Sequence, residues 1–270
     1  MKSDEATGII YRQWQASSPR AVLLLVHGLG GHSGRWDFLA DYFLNRDFAS
    51  YAIELKGFGE TEALAGHISS FNIYFKDISS LRDIIKKEHP GKKIFIVGES
   101  LGGLIAFLLA ADKPEFFDGL ICISPAFKSK LKFPIPEYLL VFFSAIVNPT
   151  RQFNMPFDSA MVTQDEACQK KMDTDPREHR FATASLLVNT AFAMSRAGMV
   201  KNRISVPLLF LLADDNDALV DAIVSKKIFA GLKVEDKKLI QYPGMRHALS
   251  IEKDREKIFE EILKWLQKKV

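Results

Sequence analysis

The sequence predicts an α/β fold, a mainly parallel sheet with helices on both faces. Short apolar runs alternate with longer segments of helical periodicity. The runs are continuously apolar, as in strands buried on both faces. Glycine-rich or acid-rich turns follow several of them, at the strand ends where open parallel sheets place their ligands.

Taken in order, Ala21–Val26 (AVLLLV) reads as a strand and Arg35–Arg46 (RWDFLADYFLNR) as an amphipathic helix. Ser50–Leu55 is a second strand, and Phe71–His89 a helix with Ile73, Ile78, Leu81 and Ile85 at helical spacing. Ile94–Val97 is a strand, Leu101–Ala111 a helix ending near Pro114, and Gly119–Ser124 (GLICIS) another strand. Pro207–Ala213 (PLLFLLA) and Lys238–Tyr242 are strands on either side of a helix over Asp221–Leu232. The chain closes with a helix over Ile251–Lys268, striped by Ile258, Phe259, Ile262, Leu263 and Leu266. Between Pro125 and Val206 the alternation stops, no strand is expected, and two apolar segments flank a polar helical one. The predicted organisation is a core of residues 1–124 and 207–270 with a helical lid, residues 125–206, inserted between two strands. The N-terminal region is short, and a first strand there is expected to be missing or minimal.

A chain of 270 residues, 47% hydrophobic and 26% charged, has the profile of a soluble globular protein. The net charge of +3 is weak and its lysines are scattered, so no nucleic-acid partner is expected. Cys122 and Cys168 make neither a metal pattern nor a disulfide framework, consistent with a reducing compartment. MKSDEATG lacks the apolar region of an export signal, and Tyr138–Val147 is too short to span a bilayer. The expected location is the cytoplasm.

Three turns carry chemistry. Between Ile94–Val97 and Leu101–Ala111 stands GESLGG, with Ser100 between Gly98 and Gly102. A sharp strand-to-helix elbow needs small residues on both sides of an exposed nucleophile. After Ala21–Val26 comes HGLGGHSGRW, four glycines within eight residues, able to turn its N–H groups toward a ligand. After Pro207–Ala213 comes DDNDALVD, which offers Asp214, Asp215 and Asp217 as acids. His247 lies on the loop after Lys238–Tyr242. His67 and His89 lie in or beside polar helical stretches, His179 lies in the insertion and His27 in the glycine loop, so His247 is the candidate base. Nucleophile, acid and histidine in that chain order form the α/β-hydrolase arrangement.

With these motifs in place, the sequence resembles the monoacylglycerol lipase and lysophospholipase branch of the serine α/β-hydrolases over nearly its whole length. HGLGGHSGRW is similar to that branch's oxyanion motif, GESLGG to its elbow, YPGMRHAL to its histidine motif, and VTQDEACQKKMDTDP to a segment of its lid. LLADDNDALVD resembles the motif that carries the triad acid, which implies Asp217. The resemblance also implies an oxyanion hole from the backbone N–H groups of Leu29 and Leu101, with no metal or cofactor. Two departures are Asp214 where the family has glycine and Glu54, in ELKGFG, where it has aspartate.

The implied activity is monoacylglycerol lipase-like hydrolysis of single-chain lipid esters of short to medium acyl length, through an acyl-enzyme. Ile135, Leu139, Phe142, Phe143 and Ile146 are the expected substrate-binding residues, on a segment apolar nearly all round. Transient contact of this segment with a micelle or membrane surface belongs to the same expectation; the sequence assigns no oligomeric state. The alternatives are a lysophospholipase, a general carboxylesterase, another acyl or carbon–carbon cleavage by the same triad, and a non-enzymatic binding protein. A dehalogenase is disfavoured because it would need an aspartate at position 100.

Overall fold

A computed structural model describes residues 1–4 and 6–270. Among these, the strands are β1 (Lys2–Asp4), β2 (Ile9–Trp14), β3 (Ala21–Val26), β4 (Phe48–Ile53), β5 (Ile94–Glu99), β6 (Gly119–Ile123), β7 (Gln152–Asn154), β8 (Phe181–Thr183), β9 (Leu208–Leu212) and β10 (Lys237–Gln241). The α-helices are α1 (Asp37–Leu44), α2 (Phe71–Glu88), α3 (Leu101–Asp112), α4 (Ile135–Val147), α5 (Ser159–Val162), α6 (Glu166–Thr174), α7 (Ala184–Val200), α8 (Ala222–Ala230) and α9 (Arg255–Leu266). The main sheet has the order β1-β2-β4-β3-β5-β6-β9-β10. From β4 to β10 its neighbours are parallel, while β1 and β2 form an antiparallel edge.

Apolar residues at every position of β3 follow from its place in the middle of the sheet. Leu24 is opposite Tyr51 on one side and Ile96 on the other, and no residue of β3 is exposed. Its even and odd residues go to different layers. Val22, Leu24 and Val26 pack with α2, α3 and α8, and Leu23 and Leu25 with α1 and α9. Because α3 is buried on all sides, nearly every position of LGGLIAFLLA is apolar or glycine.

Four expectations change. The N-terminal region does supply strands: β2 pairs with β4, Tyr11 opposite Ile53, and β1 pairs with β2. Ile9 and Tyr11 face the core while Ile10 and Arg12 are half-exposed, an alternation only two periods long and so a faint signal. The second predicted strand begins two residues earlier, at Phe48, because pairing with β3 starts at Ala21 opposite Phe48. The last helix starts at Arg255 rather than Ile251, after a separate 3-10 turn over Leu249–Ile251. The insertion, expected to hold no strand, holds β7 and β8, paired antiparallel with Phe153 opposite Ala182. Each is three residues long, too short to show a period.

Within residues 125–206, α4 packs on α7, and α7 in turn packs on α3. Side chains cap these helices: Asp158 accepts from Met161 N–H, Asp165 from Cys168 N–H and Thr183 from Leu186 N–H. Among the described residues no helix is long and apolar enough to cross a membrane.

Candidate active site

Ser100 occupies the turn between β5 and α3 with φ 56° and ψ −119°, a conformation that costs a non-glycine residue free energy. Its backbone is bracketed by the chain leaving β6. Ser100 N–H donates to Ile123 O at 2.9 Å, and Ala126 N–H donates to Ser100 O at 3.0 Å. The flanking glycines are steric necessities. A Cβ on Gly98 would lie 2.3 Å from Gly102 O, and one on Gly102 would lie 2.1 Å from Val26 O.

The three candidate acids part company. Asp214 is on the surface, where it accepts from Gly244 N–H and Asn216 N–H. Asp215 pairs with Lys226 Nζ at 2.7 Å. Asp217 is buried, and its Oδ2 lies 2.8 Å from His247 Nδ1. Its Oδ1 accepts from Leu219 N–H at 2.8 Å and Val220 N–H at 3.3 Å. Burial alone would raise the Asp217 pKa, but the His247 ring and these N–H donors together hold it below the usual range. For His247 burial works downward, yet the Asp217 carboxylate outweighs it and the net shift is up. His247 Nε2 is buried and makes no hydrogen bond among the described residues.

The glycine loop after β3 is fixed by its own histidines. His27 Nδ1 donates to Gly28 O at 2.8 Å and Nε2 accepts from Leu55 N–H at 3.1 Å. Burial pushes its pKa down to about 3, which keeps the ring neutral for this double role. His32, lowered to about 4 mainly by burial, accepts from Gly34 N–H and faces Asp175 at 3.3 Å. Among the described residues neither Leu29 N–H nor Leu101 N–H takes part in a hydrogen bond. Both residues border the same cavity as Ser100 and His247.

Several residues that hold the site together carried no assigned role in the sequence, Glu54 being marked there only as a departure from the family motif. Glu99, fully buried beside Ser100, accepts from Ser250 N–H at 3.0 Å and Ser250 Oγ–H at 2.7 Å, tying the elbow to the histidine loop. Arg35 Nε donates to Glu178 Oε1 at 2.6 Å, joining the glycine loop to the insertion. Glu54 accepts from Ser33 N–H and Ser33 Oγ–H, and a Cβ on Gly59 would overlap its carboxylate. The signal for each was a charged residue inside an otherwise small or apolar motif. In VTQDEACQKKMDTDP, Asp165 bonds Arg255 at 2.8 Å and Asp175 bonds Arg177 and faces His32. His179, beside that segment, stacks its ring between Phe58 and Phe181 and donates its main-chain N–H to Gly30 O.

Ser100 and His247 open onto a cavity of 390 Å³ whose walls include Leu131, Phe133, Val141, Phe142, Leu187 and Met194. Of the five residues expected to bind substrate, Phe142 lines it. Ile135, Leu139, Phe143 and Ile146 do not, and they are 62–83% exposed on the outer side of α4. The inner stripe is Tyr138, Val141 and Phe142, at the i, i+3, i+4 spacing that a helical reading of this segment could have found. Among the described residues no group of three or more His, Cys, Asp or Glu is placed to hold a metal ion.

A parallel sheet with a strained serine elbow, followed in the chain by an aspartate bonded to a histidine, defines the serine α/β-hydrolases. The chain belongs to the Hydrolase_4 family (serine aminopeptidase, S33), which matches residues 17–254, and it is a hydrolase. It is similar to the human monoglyceride lipase, 29% identical over 268 residues that cover 96% of this chain and 86% of the relative. It is also similar to phospholipase YtpA of Bacillus subtilis, 26% identical over 92% of this chain and 95% of that protein. Among solved structures, the monoacylglycerol lipase of Paleococcus ferrophilus superposes with a TM-score of 0.88, at 26% identity, over 97% of this chain and 99% of that one.

The Glu99–Ser250 tie makes a stability prediction. Glu99→Ala strands the Ser250 N–H and hydroxyl inside the protein, so urea unfolding should show a loss of about 2 kcal/mol. Glu99→Gln keeps one acceptor oxygen and should lose clearly less. Equal losses in the two variants would mean that one neutral acceptor does not suffice and that Glu99 contributes through its whole carboxylate; no loss in Glu99→Gln beside a full loss in Glu99→Ala would leave volume as the alternative.

Proposed function

We propose that the protein is a carboxylic-ester hydrolase for single-chain lipids, monoacylglycerols first among them. The observation that carries this reading is the apolar cavity that ends at Ser100 and the Asp217–His247 pair. In the proposed cycle Ser100 Oγ attacks the ester carbonyl while His247 Nε2 takes its proton. Asp217 holds the ring with Nδ1 protonated and stabilises the imidazolium. The developing oxyanion accepts from Leu29 N–H and Leu101 N–H, each donor contributing about 3 kcal/mol to lowering the barrier. His247 then protonates the leaving alcohol, and water attacks the acyl-enzyme with the same histidine as base, releasing the acid and Ser100. No step calls for a metal or cofactor.

The monoglyceride lipase and monoacylglycerol lipase relatives support the substrate class. An aminopeptidase reading of the family fits the cavity poorly. A free substrate ammonium would need a carboxylate there, and both oxygens of Glu99, the carboxylate on that wall among the described residues, are taken by Ser250. A lysophospholipid substrate is the second reading, favoured by the phospholipase relative and by Lys128 on the cavity wall. In the same proposal residues 125–206 act as the lid, with Phe142 facing the acyl chain and Ile135, Leu139, Phe143 and Ile146 facing a micelle or membrane surface. Two free, buried cysteines, Cys122 and Cys168, accord with a cytoplasmic setting.

Ser100→Ala should abolish hydrolysis of monoacylglycerols and of short nitrophenyl esters alike, and a fluorophosphonate should label Ser100. Asp217→Asn should lower kcat by several orders of magnitude, while Asp214→Asn and Asp215→Asn keep most of the activity. Wild-type rates in Ser100→Ala would end the proposal.

The pH profile has a defined sign. Because His247 must be neutral to act as base and its pKa is raised, the acid limb of kcat/KM should have its midpoint above the ordinary value of about 6.5. The residual activity of Asp217→Asn should show that limb at lower pH, since the carboxylate that raises the pKa is gone. The stability that the charged ring gains from Asp217 is fully present below about pH 6.5 and is lost as pH rises through the raised folded value. A limb at or below pH 6, with chemistry limiting, would count against His247.

The two sides of α4 should separate experimentally. Phe142→Ala should flatten the rise of kcat/KM with acyl length, which can reach about 0.8 kcal/mol per buried methylene, and leave acetate esters nearly untouched. Leu139→Ser combined with Ile146→Ser should weaken sedimentation with lipid vesicles and leave the hydrolysis of dissolved esters unchanged. If the double variant instead lost activity on dissolved esters, the outer stripe would belong to the substrate site.

A further inference from the structure

We infer that Lys130, at the stem of the insertion, is a positioning residue that holds the turn carrying Asp217. This rests on the assignment of Asp217 as the triad acid. After β6 the chain returns along the acid loop as a short antiparallel ladder. Lys130 N–H donates to Leu219 O at 2.9 Å, Asp221 N–H donates to Lys128 O at 2.9 Å, and Ser129 stands opposite Val220. The Lys130 ammonium reaches past this ladder and donates to two main-chain carbonyls, Asp215 O at 2.7 Å and Asp217 O at 2.9 Å.

The turn is thereby held from two directions. Its carbonyls converge on one ammonium, and two of its N–H groups, Leu219 and Val220, converge on the Asp217 carboxylate. The other oxygen of that carboxylate is the one bonded to His247. A carboxylate bonded to its own turn keeps its direction only while the turn keeps its shape. The Lys130 bonds are charge-assisted, stronger than the neutral bonds of an ordinary loop. Lys226, on α8, grips the exposed side chain of Asp215 instead, and among the described residues its ammonium makes no bond to the backbone of the turn.

The arrangement also joins the acid to the substrate cavity. Leu131 and Phe133, which follow Lys130, line the cavity together with Leu219 and Val220. The wall beside the acyl chain and the turn that aims the triad acid are thus one hydrogen-bonded unit, with Lys130 at its centre. Loss of the ammonium leaves the wall residues in place and releases the carbonyls, so the effect falls on turnover rather than on binding.

The test is steady-state kinetics on nitrophenyl butyrate with Lys130→Ala, Lys130→Arg and Lys226→Ala, beside Asp217→Asn. Lys130→Ala should lower kcat about tenfold with KM within about twofold. Added propylammonium should restore kcat in that variant in a saturable way, which a general loss of packing would not allow. Proton NMR of the same variant should show the low-field His247 Nδ1–H resonance broadened or shifted, and propylammonium should return it. Lys130→Arg should keep more activity than Lys130→Ala, and Lys226→Ala should match the wild type. An unchanged kcat in Lys130→Ala, or a loss with the resonance intact and no amine rescue, overturns the inference. If Asp217→Asn is itself fully active, the triad assignment fails instead.

Discussion

The rest of the site depends on one close approach, the crossing of the first turn of α3 over the ends of β3 and β5. Space there is so short that a Cβ on Gly102 would meet Val26 O at 2.1 Å, and one on Gly98 would meet Gly102 O at 2.3 Å. Helix and sheet can touch this closely only through glycine, and the touch forces the residue between them into positive φ. Ser100 accepts that strain because Ile123 O and Ala126 N–H hold its peptide groups on both sides. The result is a hydroxyl lifted from the sheet at the N-terminus of a buried helix, with the Leu101 N–H beside it unpaired among the described residues.

Strain at one residue persists only if the surroundings over-determine it, and here they do so through buried polar ties. Glu99 binds the elbow to Ser250, Glu54 binds β4 to Ser33, and His27 binds the glycine loop to Leu55. Each places a carboxylate or ring where burial penalises charge, so none is an efficient way to add stability. What they provide is direction. The loops after β3, β5 and β10 meet at Ser100 in fixed relative positions because their anchors are hydrogen bonds, which have geometry, rather than apolar contacts, which have little. Arg35 and Glu178 extend the same logic from the glycine loop to the insertion.

How much of this was legible follows from where each signal resides. The central strands were clear because burial on both faces demands unbroken apolar runs, and β3, β5 and β6 show them. The positions of the serine and histidine turns were legible because small residues and loop position leave few alternatives. Asp217 could not be separated from Asp214 and Asp215 by residue type and spacing, since the three differ only in burial and partner, which are properties of the folded chain. The edge strands β1 and β2 and the pair β7–β8 were missed because a strand of three to six half-exposed residues repeats its pattern too few times. Glu99 was missed because a charged residue in a tight turn looks like solvent-facing decoration until Ser250 arrives from a position 151 residues away.

Helix α4 shows why composition read the insertion only in part. Its sequence is apolar nearly all round, so an accurate sense of its character came with no sense of its orientation. Val141 and Ser144 are buried against the protein, Tyr138 and Phe142 border the cavity, and Ile135, Leu139, Phe143 and Ile146 point outward. An ordinary surface helix would be polar on that outer stripe, and nothing in the packing of α4 on α7 requires it to be apolar. The inner stripe answers to the cavity and the outer one to whatever lies beyond the protein. A single helix therefore carries both part of the cavity wall and an apolar exterior.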